Sequence, residues 1–289
     1  MKKAVPLILI FCLLLSLAAF ASAEETPDLS GTATAYTFQN CIDMVELTTD
    51  RDGVVTAITL DQGLPPFSWA RVRLTEEEMA NPPEDTLVGG ISLVSATREV
   101  MAFSKYICID GKIFVGTMRD EDDPWLAYNS EQTVKYSSVD GEIEDLNDWL
   151  VASEENMAYY YQQCVDRTMY ICDEDGNPSS RETGAEYLMM EGLGHDGEPS
   201  FLKSTTDLSF ESQFFNWDRN LQGLYDAVLG TKMETQVADL TQQKGEDGKM
   251  YWTGIDGVTS ATNVTYPIMY GTALAAYQKI MANAAENAA

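Results

Sequence analysis

The segment VMAFSKYICIDGKIFVGTM, residues 100–118, indicates how this chain folds. Residues 100–109 and 112–118 are rich in β-branched and aromatic side chains, which are typical of strands. Asp110-Gly111 between them is a signal for a two-residue turn. The segment therefore predicts a β-hairpin and, with it, an antiparallel sheet.

A second hairpin is predicted upstream of this segment. Residues 33–47 alternate well enough for a strand, Arg51-Asp52-Gly53 forms a tight turn, and residues 54–60 return as another strand. Two hairpins of this kind predict a twisted antiparallel sheet.

Helical spacing of apolar residues dominates the second half of the chain. It predicts helices over 146–161, 216–240 and 266–284, with a break of the second at Gly230 as an alternative. A strand is predicted over 167–172, and the stretch 176–209, rich in Gly, Ser, Glu and Asp, is predicted to be a long surface excursion. The predicted class is α+β, a twisted antiparallel sheet built from hairpins with packed helices.

The start of the chain indicates export. Lys2-Lys3, an apolar run and Ala21-Ser22-Ala23 follow the pattern of a secretory signal peptide that is cut after Ala23. A retained membrane anchor is the alternative, but the run is barely long enough to span ~30 Å of hydrocarbon. The predicted organisation is a signal peptide over 1–23, a β-rich part over 24–118 and a helix-containing part over 119–289, forming one domain or two lobes. The mature protein is expected to be extracytoplasmic, either secreted or associated with the cell envelope.

The charge balance excludes some partners. The chain has 18 Lys and Arg against 46 Asp and Glu, a formal net charge of −28, which becomes −30 once the two lysines of the signal peptide are removed. So acidic a surface is repelled by nucleic acid phosphates and by anionic lipids. The protein is therefore not expected to bind nucleic acid.

Few ordinary catalytic or metal-binding schemes fit the composition. The single histidine, His195, lies in the predicted surface excursion, which argues against a histidine metal cluster and a Ser-His-Asp triad. No Gly-rich phosphate loop follows a predicted strand. Cys41, Cys108, Cys164 and Cys172 permit two disulfides in three pairings, or remain four buried thiols. No catalytic or metal-ligating residue is predicted.

One short segment near the C-terminus has an unusual composition. It reads Asp256-Gly257-Val258-Thr259-Ser260-Ala261-Thr262 and is followed by the last predicted helix. Its plain interpretation is a turn in which Thr262 or Thr265 caps that helix. This interpretation is compatible with a functional one, because a capped helix end is a rigid place for a modified side chain.

The segment resembles the flavinylation signature of FMN-binding domains, roughly Asp-x-x-Ser/Thr-Gly/Ser-Ala-Thr. Such domains occur in the flavin-bearing subunits of sodium-pumping NADH:quinone reductase and Rnf complexes, and in exported electron-transfer proteins. The resemblance implies FMN joined through its phosphate to Thr262 by a dedicated flavin transferase. Asp256 matches the leading acid, Ser260 and Ala261 match the small residues, and Gly257, Val258 and Thr259 fill the spacing. Ser260 replaces the Gly of the energy-coupling subunits.

By this resemblance the chain is expected to be an exported flavoprotein that exchanges electrons with membrane or surface redox partners. Nothing resembling a substrate-reducing domain accompanies the segment, which favours an electron-transfer protein over a stand-alone enzyme. Ser95-Ala96-Thr97 repeats the end of the signature, but Ile91 stands where the acid is required. Thr97 is therefore not expected to carry a second flavin.

Two alternatives remain for the function. One is an exported binding or adhesion module in which the segment is only a turn. The other is a reductase that binds FMN without a covalent bond and holds its ring with aromatic side chains. The aromatic candidates are Tyr159, Tyr160, Tyr161, Phe214, Phe215 and Trp217, although such residues more often fill a core.

Overall fold

The structure is a computed structural model that describes residues 28–36, 41–91, 100–128, 132–181, 201–205, 217–254 and 266–288. Within these ranges helices are interspersed with strands, and every pairing of strands is antiparallel. The predicted α+β class is thereby confirmed. The predicted signal peptide lies outside the described residues.

The first sheet has three strands in chain order, β1 (Leu29–Tyr36), β2 (Ile42–Thr49) and β3 (Val55–Gly63). Tyr36 lies opposite Ile42, so the single strand predicted over 33–47 is wrong, because this stretch contributes to two antiparallel strands. An alternating pattern continues through both strands and does not reveal where the chain reverses. The turn after β2 is confirmed, with Gly53 at a φ of 82°.

The second sheet contains β6 (Tyr106–Ile109), β7 (Lys112–Met118), β8 (Val134–Ser138) and β9 (Met169–Cys172), in the spatial order β8-β7-β6-β9. The hairpin predicted at its centre is confirmed, since Asp110 and Gly111 have the positive φ angles, 50° and 76°, that a two-residue turn needs. The strand predicted over 100–109 is divided at Lys105. Its first half, β5 (Val100–Ser104), pairs with β4 (Thr86–Ile91) instead of joining this sheet.

Seven helices lie in the described ranges: α1 (Pro66–Trp69), α2 (Glu76–Ala80), α3 (Pro124–Tyr128), α4 (Leu146–Ala152), α5 (Glu154–Asp166), α6 (Trp217–Val228) and α7 (Tyr266–Ala288). The helix predicted over 146–161 is two helices, because Ser153 has an extended backbone and caps α5 by accepting the Asn156 N–H at 3.1 Å. The helix predicted over 216–240 stops at α6, and Gly230 with a φ of 74° follows it. The last predicted helix is confirmed as α7.

Buried apolar side chains form two cores. The first core lies around β5 to β9 with α4 and α5, and the second lies between the first sheet and helices α6 and α7. Strand β2 belongs to both, because it supplies Ile42 to the first core and Val45 and Leu47 to the second. The predicted division after residue 118 falls between β7 and β8, which are neighbours in one sheet.

Part of the predicted surface excursion over 176–209 is buried. Phe201 is only 5% exposed and packs in the first core, and Leu202 forms a bridge with Gly63 of β3. The prediction of a surface excursion is therefore wrong for residues 201–205, because two apolar side chains within a polar stretch are enough to anchor it. His195 lies outside the described residues.

Helix α7 packs closely against the first sheet. A Cβ atom on Gly31 of β1 would lie 2.7 Å from Cγ1 of Ile280, so the glycine permits this close approach. Throughout the described ranges, no helix combines the length and the apolar character needed to cross a bilayer. The buried face of α7 consists of Tyr266, Met269, Tyr270, Ala273, Leu274, Ala276, Tyr277 and Ile280.

Candidate functional site

The predicted FMN-attachment segment lies outside the described residues. This applies to the predicted acceptor and to each of its predicted neighbours, Thr262, Asp256, Gly257, Thr259, Ser260 and Ala261. The structure describes the chain up to Gly254, which precedes the segment, and again from Tyr266, which follows it. These two flanking residues are the described residues nearest to the segment.

The described chain before the segment stops at a closely packed glycine, Gly254. Strands β10 (Thr241–Lys244) and β11 (Met250–Thr253) form a ribbon that ends at Gly254. Gly254 has a φ of 116°, and a Cβ atom on it would lie 2.8 Å from the backbone oxygen of Asp239. The Thr235 hydroxyl donates to the Gly254 carbonyl oxygen at 3.2 Å. The chain therefore leaves the scaffold from a closely packed position that suits glycine.

The described chain after the segment resumes at Tyr266, which belongs to a set of stacked aromatic rings. Tyr266, the first residue of α7, is fully buried, and its ring stacks on Trp252 of β11 with a centroid distance of 6.0 Å and an interplanar angle of 18°. Tyr270 also stacks on Tyr266, at 6.3 Å and 22°. We call Trp252, Tyr266 and Tyr270 the aromatic anchor. It joins β11, which precedes the segment in the chain, to α7, which follows it.

The aromatic anchor is tied to the loop that holds Gly254. The Tyr270 hydroxyl donates to the Thr235 carbonyl oxygen at 3.1 Å, and burial raises the pKa of Tyr270. Thr235 therefore connects Gly254, which precedes the segment, to Tyr270, which follows it, since its own hydroxyl bonds to Gly254.

The end of α7 next to the segment suits an anion. The helix is 23 residues long and has no acidic residue in its first turn. The N-terminus of a helix carries a partial positive charge from the aligned peptide dipoles and its unsatisfied N–H groups. In the sequence, Thr262 precedes Tyr266, the first residue of α7, by four positions.

Two of the other aromatic candidates pack in the cores, whereas Tyr159 is exposed and Tyr161 is half-buried. Tyr160 and Trp217 are buried in the first and second core, respectively. The Tyr160 hydroxyl donates to the Leu64 carbonyl oxygen at 2.9 Å and accepts from Trp69 Nε1 at 3.0 Å. These contacts confirm the expectation that such rings fill the core. Phe214 and Phe215 lie outside the described residues.

The four cysteines beyond the predicted signal peptide are buried free thiols. The Sγ atom of Cys164 lies 3.1 Å from the position of a Cβ on Gly63, whereas Cys172 lies on β9. Burial raises the pKa of Cys164, and burial also raises the pKa of Cys172 to about 12. Because all four thiols are free, Cys164 and Cys172 close no loop.

Sequence reasoning missed a buried polar cluster, which consists of Asp43, Gln62 and Lys203. Gln62 Nε2 donates to Asp43 Oδ1 at 2.5 Å, and Lys203 Nζ donates to Gln62 Oε1 at 2.7 Å. Asp43 and Gln62 are both 0% exposed. A signal was present in the sequence, because Asp43 stands in the same alternating series as Val45 and Leu47, the inward positions of β2.

No protein-family model, no curated protein and no solved structure matches this chain. Its function therefore has to be argued from the resemblance of the segment 256–262 and from the residues that hold that segment.

Proposed function

We propose that this chain is an exported flavoprotein that carries FMN as a phosphoester on Thr262 and transfers electrons in the cell envelope or outside the cell. The single observation that carries the proposal is the segment Asp256-Gly257-Val258-Thr259-Ser260-Ala261-Thr262, which resembles the flavinylation signature. A flavin transferase acts during maturation, and redox partners at the membrane or cell surface act afterwards.

Two features of the described residues support the proposal. The described residues that flank the segment, Gly254 before it and Tyr266 after it, are both closely packed in the scaffold. The first turn of α7 lacks acidic side chains that would repel a phosphate.

The residues of the segment suit a phosphoester. Formation of the bond requires the Thr262 hydroxyl to lose its proton and its oxygen to attack the flavin phosphate of a flavin dinucleotide donor, whose phosphoanhydride bond breaks and releases the other nucleotide. The small neighbours Ser260 and Ala261 leave room for the transferase, and Asp256 orients the hydroxyl or helps to hold the transferase's metal ion. A covalent link requires no strong phosphate pocket, which agrees with only 18 basic residues in the chain. When bound, FMN supplies the redox chemistry, and the protein supplies placement and electrostatics.

The proposal is tested by the intact mass of the denatured protein after co-expression with a flavin transferase. The wild-type mass should increase by one FMN less one water, and Thr262→Ala should abolish the increase. Thr265→Ala and Thr97→Ala are matched controls, because they remove a threonine hydroxyl near the segment or in the incomplete repeat of the signature. Both controls should retain the full mass increase.

Other outcomes distinguish the alternatives. Flavin that co-purifies but is lost on denaturation would support a reductase with non-covalent FMN. A wild-type chain that stays unmodified, with a transferase shown to be active on a known acceptor, would support a binding module without a cofactor.

A further inference from the structure

A fully buried carboxyl group lies where α7 meets the first sheet. Asp43 of β2 lies opposite Gln62 of β3 in the strand register, and both are 0% exposed. Asp43 belongs to the same face of β2 as Val45 and Leu47, which pack in the second core. A charged carboxylate at such a position is costly unless it is paired.

Gln62 separates this carboxyl group from the nearest cation. Its amide donates to Asp43 Oδ1 and accepts from Lys203 Nζ, which also lies 4.6 Å from the centre of the Trp217 ring. The attraction between Asp43 and Lys203 therefore acts across an intervening amide rather than through a direct ion pair.

The second oxygen of the carboxyl group is better suited to a neutral acid. Asp43 Oδ2 is buried and has no hydrogen-bond partner among the described residues. The Thr272 hydroxyl of α7 lies near enough to lower the pKa of Asp43, but it donates its proton to the Ile268 carbonyl oxygen at 3.1 Å. An ionised Oδ2 could take that proton only at the expense of the Ile268 carbonyl oxygen, whereas a neutral carboxyl group needs no donor.

The other titratable groups that face Asp43 are Lys203, Asp61 and Cys41. Burial raises the pKa of Asp61, although the Ser204 hydroxyl and the backbone N–H groups of Gln62 and Ser204, at 2.7 and 3.0 Å, oppose the increase. Burial raises the pKa of Cys41 to about 11, so this thiol stays neutral. Burial raises the pKa of Asp43 to about 7, although Gln62, Lys203 and Thr272 oppose the increase. Asp43 therefore changes charge near neutral pH.

We propose that Asp43 is a pH-sensitive latch between the first sheet and α7. In the neutral form, the buried carboxyl group carries no charge beneath α7, and α7 stays docked against β2. On ionisation the proton passes to solvent, and the buried charge, which Lys203 reaches only across Gln62, favours the opening of α7. The latch does not depend on the proposed flavin, although α7 begins directly after the segment predicted to carry it.

The latch predicts how the opening of α7 depends on pH. Asp43 binds its proton more tightly when α7 is docked, with a pKa of about 7, than when it is exposed, with an ordinary value of 3.8. Docking is therefore most stable below the lower value and loses stability as the pH rises to about 7. Amide protection in α7, corrected for intrinsic exchange, should fall about tenfold per pH unit across this window and then level off.

Hydrogen exchange of the full chain, followed by mass spectrometry, tests this dependence. Asp43→Asn cannot ionise and should abolish the pH slope in α7. The matched control is Asp226→Asn, which removes an exposed carboxylate of α6 and should retain the wild-type slope. A wild-type profile without a slope, or an unchanged slope in Asp43→Asn, would overturn the proposal.

A second measurement needs no variant at position 43. Infrared spectra of the wild-type protein with isotope-labelled aspartate should show a protonated carboxyl band that disappears as the pH rises through about 7. The absence of such a band below neutral pH would show that Asp43 is ionised and would overturn the latch, whether or not Asp43→Asn folds.

Discussion

Gly254 is expected to be a position where even one added methyl group is costly. An alanine there would have to adopt a φ of 116°, with its Cβ atom 2.8 Å from the Asp239 oxygen and 3.3 Å from the Leu240 Cα atom. The unfavourable backbone conformation costs about 1–2 kcal/mol, and relief of the contact costs about 1–3 kcal/mol, since backbone atoms cannot rotate away. We therefore expect Gly254→Ala to lower the free energy of unfolding by about 3 kcal/mol.

Gly248 provides the matched control, because it lies in the turn of the same ribbon. Its φ is 82°, and no atom lies within 4 Å of a Cβ placed on it. Gly248→Ala should therefore incur only the backbone cost of about 1–2 kcal/mol. The difference between the two variants, about 2 kcal/mol, measures the close packing at Gly254.

Urea unfolding monitored by tryptophan fluorescence gives both free energies by linear extrapolation. Gly254→Ala should also reduce the fraction of chains that acquire flavin, because it shifts the point at which the segment leaves the scaffold. Gly248→Ala should preserve that fraction. Equal destabilisation by the two substitutions would refute the argument that Gly254 is fixed by its contact with Asp239.

Three further results are expected. Arg119→Met should cost about 3–5 kcal/mol because it leaves buried Asp145 without its cation. Lys112→Met should leave the free energy of unfolding almost unchanged because its ion pairs are exposed, and urea unfolding measures both. Tyr160→Phe should cost about 1–3 kcal/mol by removing both hydrogen bonds of a buried hydroxyl, whereas Tyr159→Phe, at an exposed site, should change the melting temperature little. The four buried thiols should resist alkylation at mildly alkaline pH in the native protein and react fully in urea without a reductant, as peptide mass mapping would show.

The local features of the fold were predictable from the sequence. Asp110-Gly111 and Gly53 mark turns that depend on a few adjacent residues, and both turns are present. The apolar spacing of α7 is likewise a local pattern. The partner change at Lys105 was not predictable, because the two halves of that stretch differ in which distant strand they pair with, not in their own composition.

The candidate site likewise combines local features that the sequence predicts with long-range packing that it does not. The segment 256–262 was recognised from its own residues, and Trp252 and Tyr266 lie close to it in the chain. Their stacking depends on the docking of α7 against β11, and the packing of Gly254 depends on Asp239, which no short pattern shows. Asp43 was missed because a carboxylate in an acidic chain is expected at the surface.

The central claim, FMN on Thr262, is tested most directly by sequencing one tryptic peptide. Trypsin cuts after Lys249 and Lys279, with no basic residue between them, so residues 250–279 form a single peptide. In protein co-expressed with a flavin transferase, tandem mass spectrometry should locate one FMN less one water on Thr262. An unmodified peptide, or FMN on another residue of it, would contradict the account.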